Sequence, residues 1–421
     1  MLEAAYYFNA EIYPFLAAHQ LAPTPFVAPI VRVEHHPPSM RHAIVSLVLG
    51  HRVLHLAALD AAAAAAPTAS SLAGSLRWRV HCHVGHAIRA LNGEIEREST
   101  RCATTTIVCV FILLIGELFQ SASPQWRFHN DGLATLVALR GGVAKLVEDE
   151  GEIIKPGMLS LLVMSVMANA TSPSHQQVAP IGHSCSLATI ADLYACGIYP
   201  RLPCPQELFV EIVRTNQLRR RLAHHHHGGP AARDAARAVR RQHQRLPDFS
   251  PPDWAAAREA SSPPATWLLL GRLFHSAAVL FAHATLAGFV DDGRPAAAAA
   301  GDEEADPGAE EGEAGPDPGA EEGEAGADPV ASHRAQLFRL LEQGLASEVT
   351  RYGILWPLVV AGFEAAHGTP AQRVLVERGL IDMSRESGAA VVVARNALKA
   401  FWLSGKRCWD DCFHEPFALV F

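Results

Sequence analysis

Residues 123–142, SPQWRFHNDGLATLVALRGG, read as one complete helix with a marked start and a marked end. Ser123 is a suitable N-cap, and the proline after it suits the first turn, where no backbone N–H is required. The closing pair of glycines can adopt the left-handed conformation that ends a helix. Apolar side chains recur between these ends at helical spacing: Trp126, Leu133, Leu136 and Val137. Segments of this kind bury their apolar side by packing helix against helix.

The same periodicity recurs along most of the 421 residues, and no run of alternating strands with turn signals interrupts it. The sequence therefore predicts an all-α protein, a multi-helix bundle or array, with residues 1–421 as a single domain. The longest apolar run, residues 107–115, is much shorter than the ~20 residues of a membrane span, so we expect no membrane contact. The predicted helices cover about 1–20, 40–60, 72–92, 100–120, 123–142, 157–169, 205–222, 267–289, 332–349, 351–367, 370–385 and 388–404.

A long acidic insert interrupts the helical pattern at residues 291–330. The decapeptide DPGAEEGEAG occurs in it twice, at 306–315 and at 317–326. Residues 302–328 hold twelve acids and no Lys or Arg, and without these acids the net charge of −8 becomes +4. The insert has almost no apolar surface to offset its ordering entropy, so we expect it to be disordered. It also lacks the interleaved hydrophobic residues of acidic interaction segments, which favours a spacer.

Residues 223–262 form a second break, which we interpret as a low-complexity, charged linker. It opens with four histidines, residues 224–227. Aromatic residues for base stacking are absent around the arginines, so nucleic-acid contact has no support beyond the charge. Recognition of residues 219–221 for nuclear import is a further alternative, and the sequence favours a solvated helix end over both. The basic run contains Arg214, Arg219, Arg220, Arg221, Arg233, Arg237, Arg240, Arg241 and Arg245.

Four groups of residues, in this order along the chain, resemble one known family. They are Trp126, His129, Gly132 and 140–142; 194–197 with 203–205; 355–358 with 361–365; and 401–402 with 408–411. Together they resemble the fungal-specific transcription factor domain, the regulatory domain of fungal zinc-cluster transcription factors, over nearly the whole chain. The resemblance implies an all-α, non-enzymatic nuclear protein that regulates RNA polymerase II transcription, with metabolic genes as targets. It also implies partners in the transcription machinery and allows for a homodimer and a small-molecule effector.

The DNA-binding module of that family is not found in this sequence. The module needs two Cys-x-x-Cys-x6-Cys half-sites that share two zinc ions, and the chain has no Cys-x-x-Cys. We therefore expect no cofactor in this chain, with zinc and DNA bound only by an upstream module. Met1 falls where the regulatory domain usually begins, which leaves two interpretations. Either an upstream exon encodes the six cysteines, or the protein pairs with a complete zinc-cluster factor. The eight cysteines here are scattered, as reduced thiols of an intracellular protein: Cys82, Cys102, Cys109, Cys185, Cys196, Cys204, Cys408 and Cys412.

One enzymatic alternative rests on Ser184. Residues 182–186, GHSCS, nearly match the Gly-x-Ser-x-Gly elbow of α/β-hydrolases. That elbow needs a strand before the serine, but residues 178–181 contain a proline, which removes a ladder donor. The final glycine is replaced by Ser186. A serine hydrolase is therefore the weaker hypothesis, and we expect no catalytic or cofactor-binding residue.

A metal site is the other alternative that the sequence raises, at His81, Cys82, His83 and His86. Only His83 and His86 share a helix side, and two ligands without a nearby carboxylate make a poor site. The sequence thus predicts a partly exposed helix side there and a solvated tract at residues 224–227, with no metal-ligating residue.

Overall fold

The structure is a computed structural model, and it describes most of the chain. The residues outside its description are 19–20, 22–24, 27, 63–66, 121–124, 179–184, 225–229, 259–262, 287–328, 385–388 and 420–421.

All regular elements in the described ranges are helices, and none of these residues lies in a strand, which confirms the predicted all-α class. Short 3₁₀ turns and one π-helical turn (Phe8–Ile12) join several of them. The α-helices are α1 (Leu2–Tyr7), α2 (Tyr13–Ala18), α3 (Pro38–Ala62), α4 (Pro67–Glu96), α5 (Glu98–Arg101), α6 (Thr104–Gln120), α7 (Trp126–Leu139), α8 (Val143–Glu150), α9 (Lys155–Ala170), α10 (Leu187–Tyr194), α11 (Gln206–His224), α12 (Pro230–Arg245), α13 (Pro251–Ala256), α14 (Pro264–Leu286), α15 (Pro329–Ala346), α16 (Leu355–Glu364), α17 (Pro370–Ser384), α18 (Ala389–Ser404) and α19 (Trp409–Cys412).

The helix predicted at residues 123–142 is present as α7, and its buried side is the predicted one. Trp126, Leu133, Leu136 and Val137 are all buried. The glycine stop is confirmed as well, because Gly141 and Gly142 have φ of 90° and 92°. The predicted cap, Ser123, lies outside the described residues.

Helix α14 forms the centre of the fold and packs against α11, α13, α15 and α16. Its Phe274 stacks on Trp356 of α16 with ring centroids 6.1 Å apart, and Phe281 meets the same indole edge-on at 5.8 Å. Helices α3, α4 and α6 pack together at the N-terminal side. One continuous apolar cluster connects the two regions.

Within the described chain, α14 is the one helix long and apolar enough to cross a membrane. However, 67% of its most apolar stretch is buried inside the protein, including Leu270, Phe274 and Leu280. A helix that is apolar on all sides and covered by neighbouring helices is typical of a protein core. We therefore interpret α14 as a core helix.

Residues 223–262, interpreted from sequence as a charged linker, contain two helices, α12 and α13. Helix α12 packs through Ala235, Ala238 and Val239 against a small apolar cluster of Leu218, Leu222 and Leu286. Sequence reasoning did not detect this apolar side, because five of the sixteen residues of the helix are arginines. The structure thus replaces the middle of the predicted linker with ordered helices.

The predicted acidic insert falls almost entirely outside the described residues, which stop at residue 286 and resume at 329. Its last two positions, Pro329 and Val330, belong to α15 instead. Proline is favoured at this position because its missing N–H is not needed in the first turn. The insert therefore connects two helices, α14 and α15, that pack on each other.

Candidate functional site

The C-terminal segment, residues 408–419, packs back onto the end of α9. The Trp409 indole N–H donates to the carbonyl of Ala170 at 2.8 Å, across 239 residues of sequence. The Thr171 hydroxyl donates to the carbonyl of Phe417, also at 2.8 Å. The last carbonyls of a helix have no partner within it, so the end of α9 offers acceptors for such contacts. Trp409, Phe413 and Phe417 are buried there.

A buried arginine completes this attachment, and we call its contacts the Arg219 junction. The side chain of Arg219, on α11, is only 2% exposed, and its Nη2 donates to Asp410 Oδ1 at 2.8 Å. The guanidinium also donates at 3.0 Å to the carbonyls of Asn169 and Ser172. Asp410 in turn accepts hydrogen bonds from Ser174, from N–H at 2.9 Å and from O–H at 2.5 Å. The junction therefore joins α9, α11 and the C-terminal segment.

Electrostatics hold the Arg219 junction in its ionised form. Burial raises the pKa of Asp410, but the Arg219 charge and the two Ser174 hydrogen bonds outweigh it, so the net pKa lies below the ordinary value. Burial lowers the pKa of Arg219, and Asp410 opposes that shift. The guanidinium also lies 5.5 Å from the Phe281 ring centroid. The desolvation of a buried ion pair offsets much of the attraction between its charges, so the pair by itself is weak evidence for stability.

The same segment forms one wall of an open pocket of about 330 Å³. The opposite walls come from α6, from the first residue of α7 and from α18. The lining is mostly apolar, and polar side chains lie at exposed positions, where Asn396, His414 and Glu415 contribute to it. The apolar lining includes Leu118, Trp126, Val393, Ala397, Phe413 and Phe417.

The pocket is suited to binding a small apolar molecule. Its volume lies at the lower end of the ~300–1,000 Å³ of ligand sites. Cys412 lines it, but burial raises the pKa of this thiol far above the ordinary value, with Asp411 adding to the shift. The thiol is therefore protonated at neutral pH and a poor nucleophile. Binding, rather than covalent chemistry, is what this arrangement supports.

The structure brings together motif residues from opposite ends of the sequence. Trp126 lines the pocket, while Trp409 and Asp410 fix its C-terminal wall. Trp356 lies in the core, and the Trp402 indole donates to the Gly362 carbonyl at 2.8 Å. All four tryptophans thus have the packing role expected of them.

The other residues singled out in the sequence lie elsewhere or outside the description. His129 is half-buried, and burial lowers its pKa, with Glu117 opposing. Ser184 and residues 225–227 lie outside the described residues. Ser186 is the N-cap of α10, where its hydroxyl accepts from the Thr189 N–H at 3.0 Å.

Sequence reasoning missed two contacts. It grouped Arg219 with an exposed basic run. The position of Arg219 between Leu218 and Leu222, on the apolar side of α11, could have indicated that its side chain is buried. His42 of α3 was not considered, yet its Nδ1 lies 2.8 Å from Nδ1 of His83 on α4. Across the part of the chain that the structure describes, no group of three or more His, Cys, Asp or Glu side chains is arranged to hold a metal ion.

Comparison with known proteins identifies the family of this chain. A curated relative, the phomenoic acid biosynthesis cluster-specific transcriptional regulator of Leptosphaeria maculans, is 25% identical over 385 residues. The alignment covers 90% of this chain and 65% of that protein, so the chain spans just under two thirds of its relative. No solved structure matches the chain. The profile of the fungal-specific transcription factor domain matches residues 5–415, and the chain therefore belongs to that family.

Proposed function

We propose that this chain is the regulatory domain of a fungal RNA polymerase II transcription regulator and that a small apolar effector binds in the 330 Å³ pocket. The family membership and the relative's role as a cluster-specific transcriptional regulator support the first part. The observation that carries the second part is that one pocket is lined by Trp126 and by the segment that Trp409 and Asp410 anchor. By analogy with the relative, the target genes are metabolic genes.

An effector can act here only through its different affinity for two arrangements of the C-terminal segment. The segment supplies one pocket wall, while the Arg219 junction attaches it to α9 and α11. A ligand that fills the pocket stabilises the attached arrangement. Without that ligand, the segment is held by the Arg219 junction, by the hydrogen bonds that Trp409 and Phe417 make to the end of α9, and by its buried aromatic side chains.

The proposal places the protein in the nucleus, with the transcription machinery or a second zinc-cluster factor as its partner and the homodimer as a further assembly. DNA recognition and zinc belong to an upstream module or to that partner. No catalysis is part of the proposal. Cys408 is the most exposed of the eight free thiols, but it is not an activated nucleophile, because partial burial and the neighbouring acidic residues raise its pKa.

A reporter assay tests the transcriptional role. The full chain is fused to a heterologous DNA-binding domain and placed upstream of a reporter gene in a fungal host. We expect reporter transcription to change relative to the DNA-binding domain alone. Equal transcription from both, with the fusion present in the nucleus, contradicts the proposal.

A fluorescent probe tests the pocket separately. Ala397→Trp fills the pocket, while Val374→Trp places the same indole at an exposed position of α17. We expect anilinonaphthalene sulfonate to fluoresce with the wild-type chain and the Val374→Trp variant but not with Ala397→Trp. Equal fluorescence in all three proteins rules out this pocket as the binding site.

A further inference from the structure

Helix α12 carries a solvent-exposed side made almost entirely of arginine. Arg233, Arg237, Arg240, Arg241 and Arg245 are all exposed. Asp234 is the one acid in the helix, and it pairs with Arg237. A helix of sixteen residues with five arginines and one acid forms a local positive surface on a chain of net charge −8.

The other side of α12 fixes these arginines outward. Val239 is fully buried, and the buried Gln242 donates to the Glu211 carbonyl of α11 at 3.0 Å and to the Thr215 hydroxyl at 3.2 Å. The His243 ring stacks on His283 of α14, with ring centroids 4.1 Å apart. The arginine side is therefore held on a packed helix and does not belong to an unstructured part of the predicted charged linker.

The spacing of the arginines suits a row of phosphates. From Arg233 to Arg245 the helix rises about 18 Å at ~1.5 Å per residue. A strand of duplex DNA carries one phosphate per ~3.4 Å along the duplex axis, and because the strand winds around that axis, a straight helix of this length reaches only a few of them. Arginine also binds phosphate oxygens in a bidentate manner, and all five cations here are arginines.

We propose that the exposed side of α12 binds the phosphate backbone of duplex DNA without reading its sequence. Charge complementarity carries the inference. The exposed side has no aromatic residue on which an unpaired base can stack, which favours a duplex over a single strand. Such contacts add sequence-independent affinity to a regulator whose base recognition belongs to another module.

The test measures binding of the full chain to a labelled random 25-base-pair duplex by fluorescence anisotropy between 50 and 200 mM salt. Three to five phosphate contacts predict that affinity falls by about 40- to 500-fold over this range. The variant Arg241→Gln with Arg245→Gln removes two of these charges. The matched control, Arg77→Gln with Arg89→Gln, removes two exposed charges from α4.

We expect the α12 variant to bind more weakly at 50 mM salt and to lower the slope of log affinity against log salt by about 2. The control keeps the wild-type slope, and unchanged circular dichroism shows that both variants are folded. Equal losses in the two variants overturn the proposal, as does wild-type binding without salt dependence. If the chain binds the duplex only after residues 302–328 are removed, this acidic stretch occupies the arginine side of α12 in the intact chain, and the DNA proposal is wrong.

Discussion

At the scale of single residues, Arg219 shows how far burial can separate a side chain from its sequence neighbours. Arg220 is half-buried and Arg221 is exposed, whereas Arg219 is 3% exposed. Burying a cation costs free energy unless its N–H donors are paired. The acceptors for Arg219 come from the C-terminal end of α9, from Ser172 just after it and from Asp410 of the C-terminal segment. The cost of breaking this pairing is therefore measurable.

The variant Asp410→Asn leaves the Arg219 charge without its carboxylate. Removing one partner of a buried ion pair costs ~3–5 kcal/mol, and partial exposure of Asp410 lowers our expectation to about 2–3 kcal/mol. Urea unfolding measures this loss. The neighbouring Asp411→Asn is the control, because its exposed pair with Lys406 should change stability by no more than about 0.5 kcal/mol. Equal losses for both variants contradict a special role for Asp410.

The pH dependence of Asp410 follows from its lowered pKa. A carboxylate whose folded-state pKa is depressed adds stability above its unfolded pKa of ~3.9, and this stability is lost as pH falls through the folded value. The stability difference between wild type and Asp410→Asn should therefore be constant from pH 7 to 5 and shrink below about pH 4. Unfolding series at each pH measure it, and a difference that does not shrink as the pH falls below about 4 refutes the assignment.

A second prediction at the scale of single residues concerns the effect of a side chain at Gly362 on stability. A Cβ added there would lie 2.5 Å from Leu398 Cδ1 and 3.2 Å from Val376 Cγ1, and both residues are fully buried. We expect Gly362→Ala to destabilise the fold by about 2 kcal/mol, since overpacking a closed core costs ~1–3 kcal/mol. The control is Gly132→Ala, which meets no atom within 4 Å and should leave stability equal or raise it by up to ~1 kcal/mol. Thermal unfolding compares the two, and equal effects contradict the close approach.

At the scale of elements, the contact between α3 and α4 brings His42, His83 and His86 together. The His42 and His86 rings stack at 5.0 Å, and the His42 and His83 rings lie 5.1 Å apart. Burial lowers the pKa of His83, and His42, Arg79 and His86 lower it further. Burial lowers the pKa of His42, and His86 and Arg41 lower it further. All the neighbouring groups that shift these two pKa values are cationic when protonated, so protonation here opposes the helix contact.

His83→Gln should therefore make the protein less sensitive to acid. A histidine with a lowered folded pKa contributes its full stability above the unfolded value of ~6.5, and that contribution declines as pH falls below it. We expect wild type to lose more stability than His83→Gln between pH 7.5 and 5.5, measured by thermal unfolding. The exposed His81→Gln serves as the control and should follow wild type. Parallel curves for wild type and His83→Gln are the opposing outcome.

The helices themselves differ in how far the sequence could specify them. Helix α7 has a complete pattern with an apolar stripe and a glycine stop, and both were predicted correctly. Helix α12 has only three short apolar residues on its buried side, so its stripe is too weak to outweigh the arginines in a reading of the sequence. Its stability comes from packing on α11 and α14. These helices are near α12 in the sequence, but the residue pattern of α12 does not show that they pack on it.

At the scale of the whole molecule, the insertion between α14 and α15 interrupts the chain but not the core. The two helices contact each other directly, since the Ser276 hydroxyl donates to Gln336 Oε1 at 3.0 Å and the His275 and His333 rings lie 5.2 Å apart. The pairing of these helices therefore does not depend on the acids between them.

Replacement of residues 302–328 by a short Gly-Ser linker should leave the fold intact. Loop-closure entropy changes slowly with length, so we expect the melting temperature to stay equal or rise by no more than about 3 °C. Differential scanning fluorimetry measures it. A control linker with the same length as the natural insert and no acids separates length from charge. A fall of more than about 5 °C in both proteins shows that the acidic stretch supports the fold, whereas a fall with the short linker alone shows an effect of length.

The sequence by itself determined the helical class, the extent of most helices and the family, because these depend on local periodicity, end signals and short motifs. Tertiary structure alone decided three other features: the pocket that joins Trp126 to the C-terminal segment, the burial of Arg219, and the contact of His42 with His83. Each depends on which helix surfaces meet, and that choice rests on the summed packing of the whole core. No local pattern records it, since residues such as Ala170 and Trp409, 239 positions apart, become neighbours only when the chain is folded.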